Sequence, residues 1–151
     1  MNDTITISNE LTVGGQPSAG DLEQLHRDGF KSIVNLRTEG EDDQALSPAD
    51  EGEKARAAGL TYLHLPVSGA NMRPEQVDEF RRELSALPKP VFVHCHKGKR
   101  AGAFTMMHLA VTAGQSGDET LQQAEQMGFQ CDVPALKEFV KSYVDQNQSK
   151  S

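Results

Sequence analysis

One stretch of the 151-residue chain gathers groups capable of covalent chemistry: Val91-Phe-Val-His-Cys-His-Lys-Gly-Lys-Arg100. Its centre is Cys95, with His94 and His96 on either side and Lys97, Lys99 and Arg100 following. The apolar, β-branched and aromatic start predicts a buried strand. Phe104, Met107, Leu109 and Val111, recurring near a 3.6 period, predict a helix just after it. A cysteine at such a junction faces the helix's unpaired N–H groups and the positive end of its dipole, and both favour an anion. With full cationic charges nearby, these are the conditions that hold a cysteine as a nucleophilic thiolate at neutral pH. The same amides and the guanidinium fork of Arg100 make a socket for a tetrahedral oxyanion.

The charge distribution sharpens that reading. The chain carries a net charge of -7, yet from Leu84 to Gly117 there is no Asp or Glu, while Lys89, Lys97, Lys99 and Arg100 all fall there. An acidic protein has kept one basic island, and Cys95 is at its centre. The overall negative charge argues against nucleic acid or an anionic membrane as partner. With 36% hydrophobic and 25% charged residues, the length fits one domain, expected over 1–146 with a polar tail over 147–151. The start Met1-Asn-Asp-Thr-Ile-Thr-Ile lacks the basic and apolar regions of a signal peptide, and no segment is long and apolar enough to span a bilayer, so the expected location is cytoplasmic. In that setting Cys95 and Cys131 are read as free thiols. Cys131 is expected as a small buried residue, the alternative being a transient bond to Cys95 that would guard it from over-oxidation.

The elements that must position these groups alternate along the chain. Thr4 to Val13 holds two short apolar segments, an entry hairpin or edge strand, and Gly14-Gly-Gln-Pro17 a turn. Ser18 caps a helix with Leu22 and Leu25 inward and Gly29 at its end. Lys31 to Arg37 reads as a strand and Thr38 to Asp43 as an acidic loop. Ser47, Pro48 and Asp50 open a second helix as N-cap, first-turn proline and capping-box acid, running to Gly59. Leu60 to Pro66 is a third strand and Ser68 to Asn71 a loop. A helix from Pro74 then buries Val77, Phe80 and Leu84, and Pro88 and Pro90 bracket the turn into the Cys95 strand. Asp118 to Gln126 and Val133 to Asp145 read as two closing helices. This order predicts an α/β fold, a mainly parallel central sheet of four or five strands with helices on both faces. Ligands bind such sheets at the carboxyl ends of the strands, so the loops after Arg37, after Pro66 and at Cys95 to Arg100 should share one crevice.

His94-Cys95, four residues, then Arg100 at a helix start resembles the phosphate loop of cysteine-dependent tyrosine and dual-specificity phosphatases. Gly15-Gln-Pro17, Gly29-Phe-Lys-Ser-Ile-Val-Asn-Leu-Arg37, Glu41, Gly59-Leu60 and His64-Leu-Pro-Val67 resemble a bacterial group of that class, the beta-lactamase hydrolase-like or DUF442 family. The resemblance runs from Ile7 to Ala110 and implies the protein tyrosine phosphatase-like fold of the dual-specificity type. It also implies a cysteinyl-phosphate mechanism. Cys95 would attack phosphorus and Arg100 would clamp phosphoryl oxygens. The loop residues His96, Lys97, Gly98, Lys99 and Ala101 would bind substrate, and His94 and Arg37 would support the loop. The expected partner is a phosphorylated small molecule or phosphoprotein.

Three departures set this chain apart. His96-Lys-Gly-Lys99 makes the Cys–Arg spacer one residue shorter than is usual in that class, a length also like that of rhodanese sulfurtransferases. Ala101 stands where a hydroxyl residue commonly follows the arginine. The loop Val67-Ser-Gly-Ala-Asn71 has no acid, so a proton donor must come from elsewhere. Glu41 and Asp42, with Glu39 and Asp43 beside them, are the candidates for that general acid, their alternative being a solvated acidic loop. Without such a donor aryl phosphates are better substrates than alkyl ones, because a phenolate needs less protonation to leave. A sulfurtransferase carrying a persulfide on Cys95, or a non-catalytic phosphate-binding module, are the competing readings. No metal and no cofactor are expected, since His64, His94, Cys95, His96 and Cys131 lack ligand-pair spacing. Gly98-Lys99-Arg100 lacks the hydroxyl and first glycine of a nucleotide phosphate loop.

Overall fold

Local sequence chemistry sets most element boundaries. In the computed structural model, which describes residues 4–38, 46–68, 72–96, 98–127 and 134–147, the first strands are β1 (Ile5–Thr6) and β2 (Leu11–Gly14), paired antiparallel as the entry hairpin. The Oγ of Ser18 accepts from the Asp21 amide at 3.1 Å and the Asp21 carboxylate accepts from the Ser18 amide at 2.9 Å. This reciprocal cap opens α1 (Ala19–Arg27), and Gly29, at φ 98°, takes the left-handed turn that ends it. After β3 (Ser32–Asn35), α2 (Pro48–Ala57) begins with Ser47 Oγ accepting from the Asp50 amide and with Pro48 in the first turn. Then come β4 (Thr61–His64), α3 (Pro74–Ala86), β5 (Val91–His94), α4 (Lys99–Ala113), α5 (Gly117–Gln126) and α6 (Pro134–Asn147).

The sheet runs β1-β2-β5-β3-β4, parallel throughout except for the β1 edge. β3 and β4 are shorter than the spans 31–37 and 60–66 read from sequence. Backbone pairing nonetheless continues past their ends, because Leu36 N donates to His94 O and Leu65 N to Asn35 O, both at 2.9 Å. Side chains alternate across the sheet. Ile33 and Phe92 pack with Leu22 and Leu25 of α1 and Ala55 of α2. Val34, Val91 and Val93 pack on the other face with Val77, Phe80 and Leu84 of α3, with Phe104 and Met107 of α4 and with Val140 and Val144 of α6. Both faces are covered by helices, as a mainly parallel sheet requires.

That alternation decides the site. His94, two residues after Phe92, shares its face, and the two rings stack with centroids 6.0 Å apart. Cys95 belongs to the opposite core, with Val93, Ala101 and Phe104. Gly14 of β2 and Asn35 of β3 both pair in register with His94, so the carboxyl ends of the central strands lie level. Among the described residues no helix is long and apolar enough to cross a membrane.

Candidate active site

Cys95 sits just beyond β5 and is 1% exposed. Its Sγ accepts from the Gly98 amide at 3.2 Å and from the Ala101 amide at 3.4 Å. Ala101 lies in the first turn of α4, where amides have no carbonyl one turn back to bond. Gly98 is the N-cap, held at φ 94° and ψ -8°. That left-handed conformation is open to glycine at little cost and turns its amide back onto the sulfur. Two aligned donors and a helix N-terminus stabilise negative charge on Sγ.

Neighbouring loops hold this one in place. Cys95 N donates to Gly14 O at 3.3 Å and Gln16 N to His96 O at 3.1 Å, so the turn after β2 braces the loop from one side. On the other side, Arg100 Nη1 donates to Val67 O at 2.7 Å, and Val67 N donates to Leu36 O at 2.9 Å. The start of the loop after Pro66 therefore meets the Cys95–Arg100 loop, and the Gly14–Pro17 turn joins them, while residues 39–43 of the loop after Arg37 lie outside the described residues.

Beneath the loop, on the α2 side, lies a buried polar network. His94 and Glu51 are both fully buried, with Nε2 and Oε2 2.6 Å apart. The other ring nitrogen, Nδ1, lies 3.3 Å from the carbonyl oxygen of Cys95. Gln16 donates through Nε2 to Glu51 Oε1 and accepts through Oε1 from Arg37 Nη1, the latter at 2.9 Å. Arg37 itself is fully buried. Asn35 donates to the Tyr62 hydroxyl at 2.9 Å and accepts from the Arg37 amide at 2.9 Å. Burial, with the Glu51 carboxyl beside it, pushes the Tyr62 hydroxyl well above the usual phenol range.

Of the residues singled out in the sequence, the structure brings Cys95, Gly98 and Ala101 into direct contact and sets His94 and Arg100 on either side of them. His96 is half-buried and offers its carbonyl to Gln16, while Lys99 begins α4 in an exposed position. Arg37 donates to the side chain of Gln16, whose backbone amide donates to His96 O. Glu39, Glu41, Asp42, Asp43, Lys97 and Cys131 lie outside the described residues. No group of three or more metal-ligating side chains occurs among the described residues. Sequence reasoning missed Gln16, Glu51, Tyr62 and Asn35. The signal for Glu51 was its place on the stripe of α2 that buries Pro48, Gly52 and Ala55, where an unpaired carboxylate would be costly.

A beta-lactamase hydrolase-like protein of Agrobacterium fabrum is 37% identical over 97 residues, covering 64% of this chain and 22% of that protein. The chain thus spans about a fifth of that relative's length. The solved DUF442 protein of Shewanella putrefaciens superposes with a TM-score of 0.78 at 22% identity, covering 97% of this chain and 89% of that one. TpbA of P. aeruginosa, solved with phosphotyrosine, superposes with a TM-score of 0.74 at 20% identity, covering 99% and 91%. The fold is that of protein tyrosine phosphatase-like proteins, and residues 3–112 match the family model described as beta-lactamase hydrolase-like protein, phosphatase-like domain, so the chain belongs to that family.

Proposed function

We propose that this chain is a cysteine-dependent phosphatase hydrolysing phosphotyrosine-like or small aryl phosphomonoesters, whether the ester is carried by a small molecule or by a phosphoprotein. The observation that carries the reading is the Cys95 sulfur held by the Gly98 and Ala101 amides at the start of α4, one residue from Arg100. In the first step the Cys95 thiolate forms a bond to phosphorus while the ester P–O bond breaks, its electron pair leaving with the oxygen. Glu41 or Asp42 supplies the proton that oxygen needs. Arg100, already aligned by Val67 O, clamps two phosphoryl oxygens, and those loop amides between His96 and Arg100 that do not face the sulfur hold the rest of the charge. In the second step water attacks phosphorus and gives its proton to the same carboxylate. The S–P bond then breaks with its pair returning to sulfur, and inorganic phosphate departs. Ala101 offers no hydroxyl to the departing thiolate, so its amide and that of Gly98 carry that stabilisation.

The phosphotyrosine complex of TpbA supports the substrate class. The test is hydrolysis of a chromogenic aryl phosphate between about pH 5 and 8, bracketing the range in which a carboxyl donor and a thiolate nucleophile can coexist. Wild-type turnover abolished by Cys95→Ser and by Arg100→Ala is the expected result. Absence of turnover in a folded wild type whose Cys95 still reacts with iodoacetamide would overturn the phosphatase reading.

A further inference from the structure

Glu51 is a carboxylate in the wrong place for a surface helix. It stands in the first turn of α2, on the face turned to the sheet, and is fully buried. A charge is carried into a protein interior only against donors that replace its water. Glu51 has three such donors or proton-sharing partners: Gln16 Nε2, the Tyr62 hydroxyl and His94 Nε2. Gly52 makes room for one of them, since a Cβ at that position would lie 3.0 Å from the Tyr62 ring. The interior of α2 is built to receive this group.

What the cluster holds still is the ring of His94. Each His94 ring nitrogen lies near an oxygen: Nε2 is 2.6 Å from Glu51 Oε2 and Nδ1 is 3.3 Å from Cys95 O. Stacking on Phe92 fixes the ring plane. Rotation of the ring would break the contact to the carbonyl that precedes the loop amides. From Arg37 through Gln16, Glu51 and His94 to the Cys95 carbonyl, one chain of hydrogen-bonded groups therefore runs under the loop.

We propose that Glu51 is a positioning residue for Cys95, acting through His94: it orients the imidazole that pins the Cys95 carbonyl and so sets the direction in which the sulfur meets its two amides. This rests on Cys95 being the nucleophile of the proposed phosphatase, but it is read out separately from turnover. A buried network that merely stabilises the fold makes a different prediction, because its loss lowers the melting temperature and leaves the chemistry of the folded fraction unchanged.

The experiment compares wild type, Glu51→Gln, His94→Asn and the double variant. The Cys95 alkylation rate with iodoacetamide is read by mass spectrometry of its peptide, alongside kcat and KM for the aryl phosphate and the melting temperature. In folded protein, Glu51→Gln is expected to slow Cys95 alkylation and kcat by roughly threefold to a hundredfold, the span of coupling measured between touching residues. In the His94→Asn background the same change should do nothing further. Tyr62→Phe, which removes one donor from Glu51 and leaves His94 untouched, gives the same effect more weakly and serves if Glu51→Gln does not fold. Independent, multiplicative effects of Glu51→Gln and His94→Asn would overturn the proposal. So would unchanged alkylation accompanied only by a lower melting temperature. Loss of wild-type turnover alone would remove the phosphatase reading and leave the alkylation result to decide the role of Glu51.

Discussion

A left-handed glycine at a helix N-cap lets two amides face one sulfur in this loop. Gly98 sits at φ 94°, and a Cβ there would lie 3.5 Å from the backbone carbon of Gly14, so space is adequate and the backbone angle is the obstacle. An L-residue with a Cβ in that region costs about 1–2 kcal/mol. Gly98→Ala is therefore expected to lower stability by about that much, and to slow Cys95 alkylation as the loop relaxes toward negative φ and the Gly98 amide leaves Sγ. Denaturant melts and timed iodoacetamide labelling measure the two effects. A variant with unchanged labelling would mean that the Gly98 bond to sulfur is dispensable. At this scale the sequence was partly legible. A cysteine, a glycine and an arginine at this spacing announce an anion site, because each residue type has few other uses in combination. Glu51 and Gln16 announced nothing by type. Their importance comes from partners 43 and 35 positions away from Glu51, which only the folded chain supplies.

At the scale of elements, caps and turns were readable because their chemistry is local. Ser18 with Asp21, Ser47 with Pro48, and Pro74 all mark helix starts within a few residues. Strand ends were less so, since ladder pairing depends on neighbours that are distant in sequence. The contact between α3 and α4 shows how such packing acquires a pH dependence. His108 of α4 accepts through Nδ1 from Arg81 Nε at 3.3 Å, an arrangement open only to an unprotonated Nδ1. Burial, then the positive charges of Arg81 and Lys89, holds the His108 imidazole below its ordinary value of 6.5. The unfolded chain therefore binds a proton at His108 more readily than the folded one. The stability this neutral ring contributes is intact above about pH 6.5 and is lost as pH falls from there toward the lower folded value. The ring is half-exposed, so the loss is modest. Melting temperatures at about pH 7.5 and about pH 5.5, on either side of the ordinary imidazole value, should differ more for wild type than for His108→Gln. Equal differences would remove His108 from the acid response.

For the whole molecule, the family match and the physical core do not end at the same place. The match stops at residue 112, within α4, yet Leu136, Val140, Tyr143 and Val144 of α6 are buried in the same core as Cys95, Ala101 and Phe104. Tyr143 further ties α6 to α3 by donating to Asp78, and burial together with that bond pushes its hydroxyl up to about 12. α6 also anchors α5, where Gly117 accommodates the passing Lys141 backbone and donates to Asp145. Helix α4 is thus supported from behind by a segment that lies beyond the residues matching the family model. Burying an aliphatic side chain stabilises by roughly 1.5–3 kcal/mol. Leu136, Val140 and Val144 alone therefore contribute on the order of 5–9 kcal/mol, comparable to the roughly 5–15 kcal/mol that separates folded from unfolded protein. A chain ended after Ala113 is expected to lose its cooperative thermal transition. A chain ended after Asn147 should melt like the full protein. Circular dichroism melts of the two decide it. A cooperative transition within a few degrees of the full chain's in the shorter protein would mean that the residues matching the family form a complete core without α5 and α6.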